Sequence, residues 1–567
     1  MRTLLLSTSL IFLFLTSYSQ YLHFAKILPR VGNFTAGYYT QALSAGTDRE
    51  KNIYTLGVFS HSIDFDPGPG SQQITPNYSL SIYISKLDSL GNFLWLKTID
   101  GQCHDGLADI LVNSDGSFFL AGNSFFHGVG VDLDPGPGTH ISSKPGFISK
   151  FDRSGNFIWT KELDCGPNKI KSDMTGNLYV TGYFGGTVDF DPGAGVFNMT
   201  SQTSYQDIFI LKLDTTGNFI WAKQFSSSSQ FTNREINIDG SANLYLTGAF
   251  KGQFDADPGT GTTYLSPQSP RDFFIVKLDS AGSFVWANSL ATFVASTDVD
   301  ENGNCYIQGN FVNTFDFDLS AGVHNVTAAS ANDIFYLKLD PSGNFSWVKT
   351  LGSLGTAQSV WSMKVDRQGT IFSSGVFTSV VDFDPDPVGY SPLNASFGTS
   401  FLLRMDSSGN FKWVKQFGSS TANIGGYLAL DAASNVYLAG TISGGTTPVG
   451  PINWDPNFSN YTTNDPDNSL FITKYSAVFT PVLNIKEQNS TTVLSIYPNP
   501  TERFLWLQKD KSINNTDLHL YNGVGVDLIS NILITQMDDK IMLDLSGIPI
   551  GTYILTAGKQ GSVLIKK

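Results

Sequence analysis

The chain has 567 residues, enough for several domains or for one long array of repeats. It carries 49 Asp and Glu against 35 Lys and Arg, a formal net charge of −14. This balance argues against a nucleic-acid-binding protein, which needs a positive surface, and does not favour attachment to an anionic membrane. The many Gly, Phe and Tyr residues are typical of short strands joined by tight turns.

The first 19 residues have the pattern of a secretory signal peptide. Arg2 precedes an apolar run from Leu4 to Leu15, and the small residues Ser17 and Ser19 flank Tyr18 in an A-x-A-like pattern, with cleavage expected after Ser19. The apolar run is shorter than the roughly 18 residues that a membrane-spanning helix needs. We therefore favour a cleaved signal over a membrane anchor, and we find no later segment apolar enough to form a transmembrane helix.

One unit recurs after the signal. In its second copy, GLADILVN, FFLAGNSF, GFISKFD and FIWTKEL alternate like four strands and are separated by turns such as SDGS and RSGN. A D-x-D-P-G stretch stands between the second and third strands. Its first position recurs at Asp64, Asp132, Asp189, Asp255, Asp316, Asp382 and Asn453. Spacings between 57 and 71 residues indicate a repeat architecture.

Seven four-stranded units predict an all-β fold, a seven-bladed β-propeller. A ring of six or eight blades and a linear solenoid are the alternatives. The seventh copy lacks the G-N-F-x-W strand, and the opening YLHFAKIL offers Phe24 and Lys26 at the positions of W-x-K in that strand. We therefore expect the N-terminal strand to close the last blade, which leaves no open sheet edge between the first and last blades.

The repeated motifs also resemble a known repeat. The units G-N-x-Y-x-x-G and D-x-F-x-x-K-L-D-x-x-G-N-F-x-W resemble the SBBP-type β-propeller repeat of secreted bacterial proteins, over residues 21 to 478. The resemblance implies the propeller fold. It implies little about activity, because propellers host many functions.

The D-x-D stretches are the first candidate site. The residue between the two aspartates is always apolar, so that face of the strand is predicted to be buried between blades. Proline and glycine after the second aspartate predict a type II turn that this aspartate caps. We therefore favour a structural role. A feature present in every blade cannot be a single catalytic centre.

Calcium is the alternative for these stretches and the only cofactor that the sequence suggests. Carboxylates at i and i+2 followed by glycine resemble the start of oxygen-rich calcium loops, although a third acid at a regular offset is lacking. The calcium candidates are Asp64, Asp66, Asp132, Asp134, Asp189, Asp191, Asp255, Asp257, Asp316, Asp318, Asp382 and Asp384.

Other repeated residues also have a structural explanation. Asp115, Asp173, Asp300 and Asp366 each precede a glycine-bearing hairpin turn, where local capping suffices. One strand position of the repeat is tryptophan in six copies, and we favour packing between blades over stacking on a sugar. These residues are Trp95, Trp159, Trp221, Trp286, Trp347 and Trp413.

The connectors between blades do not repeat, and we expect them at one mouth of the channel, where ligands bind. One connector places Cys103, His104 and Asp105 together, but neighbours in sequence rarely form a catalytic triad. The other cysteines are Cys165 and Cys305, and CxxC pairs are lacking, which argues against zinc and redox motifs. We assign no catalytic residue.

After a linker at residues 479–490, the tail at 491–567 predicts a small β-sandwich. Its Y-P-N-P opening, L-Y-N-G-V-G hairpin, D-L-S-x-x-x-x-G-T-Y stretch and basic end resemble the type A sorting domain of the type IX secretion system. The resemblance implies a Bacteroidota-type protein that crosses the outer membrane by the type IX machinery and is released or tethered to surface glycolipid. The motif residues are Tyr497, Pro498, Asn499, Pro500, Gly551, Tyr553, Lys566 and Lys567.

The predicted domains are a signal peptide at 1–19, a propeller at 20–478, the linker and the sorting domain. Together they predict a monomer without a transmembrane segment, exported through the periplasm to the outer cell surface or the medium. We expect a binding module for an unknown glycan or protein. A polysaccharide- or peptide-degrading hydrolase or lyase and a structural surface component are the alternatives.

Overall fold

The structure is a computed structural model. It describes residues 21–31, 40–77, 80–100, 109–123, 130–202, 206–229, 231–320, 322–330, 332–352, 358–386, 388–418, 423–443, 452–454, 462–463, 469–476, 496–497, 503–508, 518–521, 529, 532–536, 540–547, 551–557 and 560–566. The predicted signal peptide, the Cys103–Asp105 connector and the predicted linker lie outside these ranges. The chain divides into two compact units, Met1–Tyr475 and Ser476–Lys567.

The first unit is built from antiparallel four-stranded sheets in which the strands follow chain order. Sheet 1 contains Thr40–Thr47, Ile53–Phe59, Ser81–Leu87 and Phe93–Asp100. Sheet 2 contains Asp109–Val112, Phe118–Asn123, Gly146–Phe151 and Phe157–Leu163. Sheet 3 contains Gly166–Ser172, Leu178–Phe184, Asp207–Leu213 and Phe219–Phe225. Sheet 4 contains Phe231–Ile238, Leu244–Phe250, Asp272–Leu278 and Phe284–Leu290.

The remaining sheets have the same plan, with one change at the end. Sheet 5 contains Phe293–Val299, Cys305–Phe311, Asp333–Leu339 and Phe345–Leu351. Sheet 6 contains Gln358–Val365, Ile371–Asp382, Pro392–Met405 and Phe411–Phe417. Sheet 7 contains Asn423–Leu430, Val436–Ser443 and Leu470–Ser476. Its fourth strand is Tyr21–Leu28, from the start of the described chain.

The D-x-D stretches form short hairpins between the second and third strands of the sheets. In sheet 6 the hairpin continues the two long strands, and in sheet 2 it is a single bridge between Asp132 and Ile141. The other five hairpins are short ladders. They pair Ile63–Asp64 with Gln73–Ile74, Thr187–Asp189 with Asn198–Thr200, Phe254–Asp255 with Tyr264–Leu265, Thr314–Asp316 with Asn325–Thr327, and Ile452–Asn453 with Thr462–Thr463.

The middle strands of each sheet are covered on both faces. Every residue of Ile53–Phe59, Ser81–Leu87 and Leu244–Phe250 is buried, which is why these strands read as apolar runs. The apolar clusters combine residues of neighbouring sheets: sheets 1 and 2 share one core, and sheets 7 and 1 share another. Neighbouring sheets therefore stack face to face.

The first strands of the sheets lie next to one another. Each contacts the first strand of the following sheet, and Asn423–Leu430 of sheet 7 contacts Thr40–Thr47 of sheet 1. We call these seven strands the inner strands. Polar contacts cross the same boundaries, since the Thr47 hydroxyl donates to the Leu430 carbonyl at 2.8 Å and the Ser44 hydroxyl donates to Asp109 at 2.6 Å.

The hairpin turns of the sheets use a left-handed residue at a fixed position. Ten of these positions are glycine, with φ between 75° and 86°. Three are not glycine: Lys51 at 65°, Ala242 at 61° and Ser434 at 56°. A Cβ atom makes this conformation costly, so these three turns carry strain that the glycine turns avoid.

The second unit consists of two sheets. One contains Ile496–Tyr497, Phe504–Gln508, Lys540–Asp544 and Leu533–Gln536, and the other contains Leu518–Tyr521, Gly551–Ala557 and Gln560–Lys566. A short 3-10 turn spans Leu545–Gly547. Buried residues of both sheets, such as Leu507 and Leu520, form one core.

Across both units, all longer elements within the described ranges are strands. A search of those ranges for a helix long and apolar enough to span a bilayer finds none.

The strained turns generate a stability prediction. Ala242→Gly should stabilise the protein by about 1 kcal/mol, because glycine removes the left-handed penalty of a Cβ atom at this turn. Urea unfolding of the mature chain measures the change. The control is Gly303→Ala at the same turn position of sheet 5, where φ is 83° and a Cβ would lie 2.8 Å from the Tyr245 hydroxyl. That variant should be destabilised, and equal midpoints for both variants would contradict the assignment.

Candidate functional site

The first aspartate of each D-x-D stretch holds its own loop together. In sheet 1, Asp64 Oδ1 accepts the backbone N–H groups of Asp66 at 3.1 Å and Gln72 at 2.7 Å. Burial alone would raise the pKa of Asp64, but hydrogen bonds from Gln72, Ser71 and Asp66 lower it on balance. The same pair of contacts is made by Asp132, Asp189, Asp255, Asp316 and Asp382.

The second aspartate caps the turn that follows, as predicted, but the turn is not type II. Asp66 Oδ1 accepts the Gly68 N–H at 2.8 Å. Gly68 does not adopt a positive φ, and neither do Gly136, Gly193 and Gly259 at the same position. The next glycine of the loop, Gly70, is required for a different reason. A Cβ atom there would overlap the Asp66 carboxylate, which folds back over the loop. Close approach, rather than a left-handed backbone, explains that glycine.

The apolar residue between the two aspartates is buried in every repeat, which confirms that part of the prediction. Phe65 packs against Phe59 and Tyr83, with ring centroids 5.4 and 5.1 Å away. The stretch is therefore an anchored hairpin with self-capped carboxylates. A search of the described residues finds no group of three or more His, Cys, Asp or Glu side chains that could hold a metal ion. Calcium binding at the twelve aspartates stays the alternative to the structural role that we favour.

A second repeated contact joins neighbouring sheets. In sheet 1, Lys86 lies 4.6 Å from the ring centroid of Tyr54 and 3.4 Å from Asp48, and the Tyr54 hydroxyl donates to Asp48 at 3.2 Å. The same hydroxyl donates to the Gly116 carbonyl of sheet 2 at 2.9 Å. Burial and the Asp48 carboxylate raise the pKa of Tyr54, so the phenol stays protonated as the donor.

This Lys–Tyr–Asp contact recurs along the first unit. Sheets 3, 4, 5 and 7 use the same three residue types. Sheets 2 and 6 replace tyrosine by Phe119 and Phe372, under Lys150 and Arg404. The aspartates of the D-x-x-G-N turns are thus structural, and the predicted local capping is confirmed, since Asp173 accepts the N–H groups of Thr175 and Asn177.

The tryptophans pack between sheets, as predicted. A Cβ atom on Gly155, in the last turn of sheet 2, would lie 3.3 Å from the Trp95 ring of sheet 1, and Trp159 meets Gly217 of sheet 3 in the same way. At the boundary between sheets 7 and 1, Phe24 and Lys26 of the N-terminal strand meet Gly91. Phe24 and Lys26 thus approach Gly91 in the way that Trp95 and Lys97 approach Gly155.

The inner strands are where the repeat breaks. One position on them pairs with the residue before the glycine of each second strand. It is occupied by Ser44, Asp109, Lys169, Glu235, Ser296, Ser362 and Tyr427. The position two residues later is occupied by Gly46, Leu111, Lys171, Asn237, Asp298, Lys364 and Ala429. Six of these side chains are charged, and we call them the inner-strand charge cluster: Asp109, Lys169, Lys171, Glu235, Asp298 and Lys364.

The members of the cluster act on one another across several sheets. Lys169 Nζ lies 3.7 Å from Glu235 Oε1, and their side chains remain 24% and 27% exposed. Burial would lower the pKa of Lys169, but Glu235 and Asp109 raise it on balance. Burial and Lys364 lower the pKa of Lys171, whereas Asp298 raises that of Lys364. The partial exposure of Lys169 and Glu235 indicates that water reaches these charges on the inner strands.

The cluster was not among the residues that the sequence singled out. Asp109 and Asp298 also bind the next inner strand, where they accept the N–H groups of Ile170 at 3.2 Å and Val365 at 2.8 Å. A signal for it does exist in the sequence. When the first strands are aligned, charged residues stand where other copies have serine, glycine or alanine.

The other predicted site residues lie apart from the cluster or outside the described ranges. Cys103, His104 and Asp105 fall outside them, and Cys165 and Cys305 are buried free thiols. Of the sorting-motif residues, Tyr497, Gly551, Tyr553 and Lys566 lie on strands. Pro498, Asn499, Pro500 and Lys567 lie outside the described ranges. In the D-L-S part of the motif, Asp544 pairs with Arg503 at 3.0 Å.

Comparison with known proteins identifies the tail. Residues 495–567 match the family described as the secretion system C-terminal sorting domain. This confirms the sorting domain, which implies the type IX secretion machinery and indicates export to the cell surface or the extracellular space. The match says nothing about what the first unit binds.

The first unit has distant similarities. The chain is 21% identical over 537 residues to an uncharacterised WD repeat-containing protein of Acanthamoeba polyphaga mimivirus, and the alignment covers 79% of this chain. The chain spans only 38% of that protein's length.

Two solved structures are also similar. A protein of unknown function from Bacteroides caccae is 14% identical, covers 57% of this chain and 93% of its own, and has a TM-score of 0.26. An ulvan lyase, described as a new family of polysaccharide lyase bound to a GlcA(1-4)Rha3S unit, is 10% identical. The match covers 75% of this chain and 94% of the lyase chain, with a TM-score of 0.34. At TM-scores this low, neither similarity supports an inference about the fold or function of this chain.

The geometry of the D-x-D loops predicts the effect of removing calcium. We expect EDTA to leave the thermal unfolding midpoint of the mature protein unchanged, because the carboxylates already accept backbone N–H groups. Circular dichroism with EDTA and with millimolar calcium measures it. A ligand of the native state must raise stability by mass action. A higher midpoint in calcium that disappears in Asp64→Asn and Asp132→Asn variants would instead establish calcium sites.

Proposed function

We propose that the chain is a secreted or cell-surface binding module built on a seven-bladed β-propeller, exported by type IX secretion. The proposed boundaries are a signal peptide at 1–19, the propeller at 20–478, a linker at 479–490 and a sorting β-sandwich at 491–567. The seven four-stranded sheets of the first unit and the order of contacts among their inner strands support the blade count. The WD repeat-containing relative and the SBBP resemblance agree with a propeller.

The N-terminal strand supports closure of the ring. Tyr21–Leu28 is the outer neighbour of Leu470–Ser476 in sheet 7. Leu28 and Phe24 are buried in a core shared with sheet 1, and Lys474 donates to the Ser89 carbonyl of sheet 1 at 2.9 Å. The Thr441 hydroxyl also reaches the Thr40 carbonyl at 3.4 Å. Sheets 7 and 1 thus make the contacts that other neighbouring sheets make.

One observation carries the binding role: the residues that repeat are used in packing, and the charges that do not repeat gather on the inner strands. Lys86, Tyr54 and Asp48 illustrate the first group, because they join sheets 1 and 2. The inner-strand charge cluster spans sheets 2 to 6, and the charge at each of its two strand positions changes sign or is lost from one sheet to another. Ligand pockets commonly occur in the mouths of β-barrels, and by analogy we place the primary binding site at these charges of the inner strands.

The sorting domain predicts the fate of a truncated chain. Deletion of residues 493–567 should leave the protein in the periplasm, since the signal peptide would still direct it across the inner membrane. Cell fractionation and immunoblotting of the native host measure this. Protease resistance of the trapped protein is the control for folding of the first unit. Normal appearance of the truncated protein at the surface or in the medium would contradict type IX export.

If the inner-strand charge cluster is the binding site, substitutions in it should abolish binding. On glycan and protein arrays with millimolar calcium, the mature protein should bind a defined ligand, and Lys171→Met with Lys364→Met should lose that binding. Lys412→Met removes a lysine that is 45% exposed and paired with Asp406, so it serves as the control and should bind normally. A blank array would count against a binding module, and equal binding by all variants would place the site elsewhere.

A further inference from the structure

A cleft between sheets 4 and 5 combines two arginines with an exposed aromatic ring. Its volume is about 410 Å³, and its lining includes Arg234, Arg271, Phe293, Asn310, Val312 and Asn332. Arg234 belongs to the inner strand Phe231–Ile238, and Phe293 begins the next inner strand. The cleft therefore lies at the ends where the connectors enter the inner strands, away from the D-x-x-G-N turns.

A β-bulge aims Arg234 into this cleft. The pairing of Phe231–Ile238 with the second strand skips one residue between Asn233 and Glu235, which leaves Arg234 unpaired at the bulge. The same bulge occurs in sheets 1, 3, 5 and 6. The bulged residues there are Leu43, Asn168, Ala295 and Trp361. The bulge thus recurs in five sheets, but the residue at the bulge differs from sheet to sheet. Only sheet 4 among these five has an arginine at that position.

The two arginines are close and carry no bound carboxylate. Arg234 donates to the Ala295 carbonyl and Arg271 to the Thr232 hydroxyl, both at 3.4 Å. Burial and the Arg271 charge lower the pKa of Arg234, with Glu235 acting in the opposite direction. Among the described residues, no carboxylate forms an ion pair with either guanidinium. The nearby Asp272 accepts the N–H groups of Gln268 and Ser269.

The apolar part of the cleft lies beside these charges. The Phe293 side chain is 53% exposed, and the Arg234 guanidinium lies 5.5 Å from its ring centroid. Val312 is exposed as well. Such an exposed ring suits the apolar C–H face of a sugar. A guanidinium fork binds a carboxylate or sulfate by paired hydrogen bonds.

We propose that this cleft binds an anionic saccharide, a uronate or sulfated sugar, with Arg234 and Arg271 on the acidic group and Phe293 under the ring. The inference rests on the proposed binding function and adds to it a ligand class and a second site. An isolated phosphate would make no use of Phe293 and Val312. A cleft of this size also suits one or two sugar units better than a folded partner.

Isothermal titration calorimetry on the mature chain tests the proposal. The probes are trigalacturonate for the carboxylate, a sulfated carrageenan disaccharide for the sulfate, and maltotriose as the neutral control. We expect at least one acidic probe to bind and maltotriose to bind weakly or not at all. Arg271→Gln should weaken binding by about tenfold or more, since it removes charge-assisted hydrogen bonds. Phe293→Ala should also weaken it.

The controls separate charge from geometry. Arg271→Lys keeps the charge without the fork, and we expect intermediate binding. Arg49→Gln removes an exposed arginine elsewhere in sheet 1 and should bind like the parent. Unchanged affinity in the Arg234→Gln, Arg271→Gln double variant, or tighter binding of triglutamate than of both acidic sugars, would overturn the proposal. If no acidic sugar binds in the calorimetric titrations but the arrays still show a ligand, only the saccharide proposal fails and the proposed binding function stands. If neither experiment shows binding, both proposals fail.

Discussion

The structure of the first unit depends on one constraint: each four-stranded sheet is apolar on both faces, so it must be covered by a sheet on either side. The second and third strands show this, because they are buried throughout in sheets 1 and 4. No sheet can satisfy the constraint alone. The Lys–Tyr–Asp contact and the Trp–Gly contact are the means by which successive sheets are held at a fixed spacing. Each uses polar or aromatic groups of one sheet against a backbone carbonyl or glycine of the next.

The sequence predicted this framework well because its cause is repeated. The four strands, the buried residue of each D-x-D stretch and the match of Phe24 and Lys26 to the W-x-K positions could be found by aligning the copies. The type II turn was wrong for a physical reason. Proline followed by glycine is compatible with more than one turn, and here the Asp66 carboxylate accepts the Gly68 N–H and lies close to Gly70. Single-sequence turn rules do not include that contact.

The candidate sites were harder to predict because they depend on exceptions to the repeat. Arg234 stands out only once the bulge between Asn233 and Glu235 is known, and a bulge has no reliable signature in one sequence. Lys171 and Lys364 lie far apart in the chain and are brought near each other only by the stacking of sheets 3 to 6. Alternation identifies a strand, but it does not show which strands share a surface. The proposed binding sites of this unit therefore consist of residues that the copies do not share.

The pairing of Tyr21–Leu28 with Leu470–Ser476 also has a consequence for folding. Most contacts in the first unit lie within one sheet or join adjacent sheets, and are local on the scale of the repeat, but this one joins the two ends of the array. Contacts of such long sequence separation form late, because the entropy of closing the loop must be overcome first. Until they form, sheet 7 lacks its outer strand and the facing surface of sheet 1 is uncovered. The ends of the array are thus the last part of the first unit to be protected, and the whole unit must be present before its edges are satisfied.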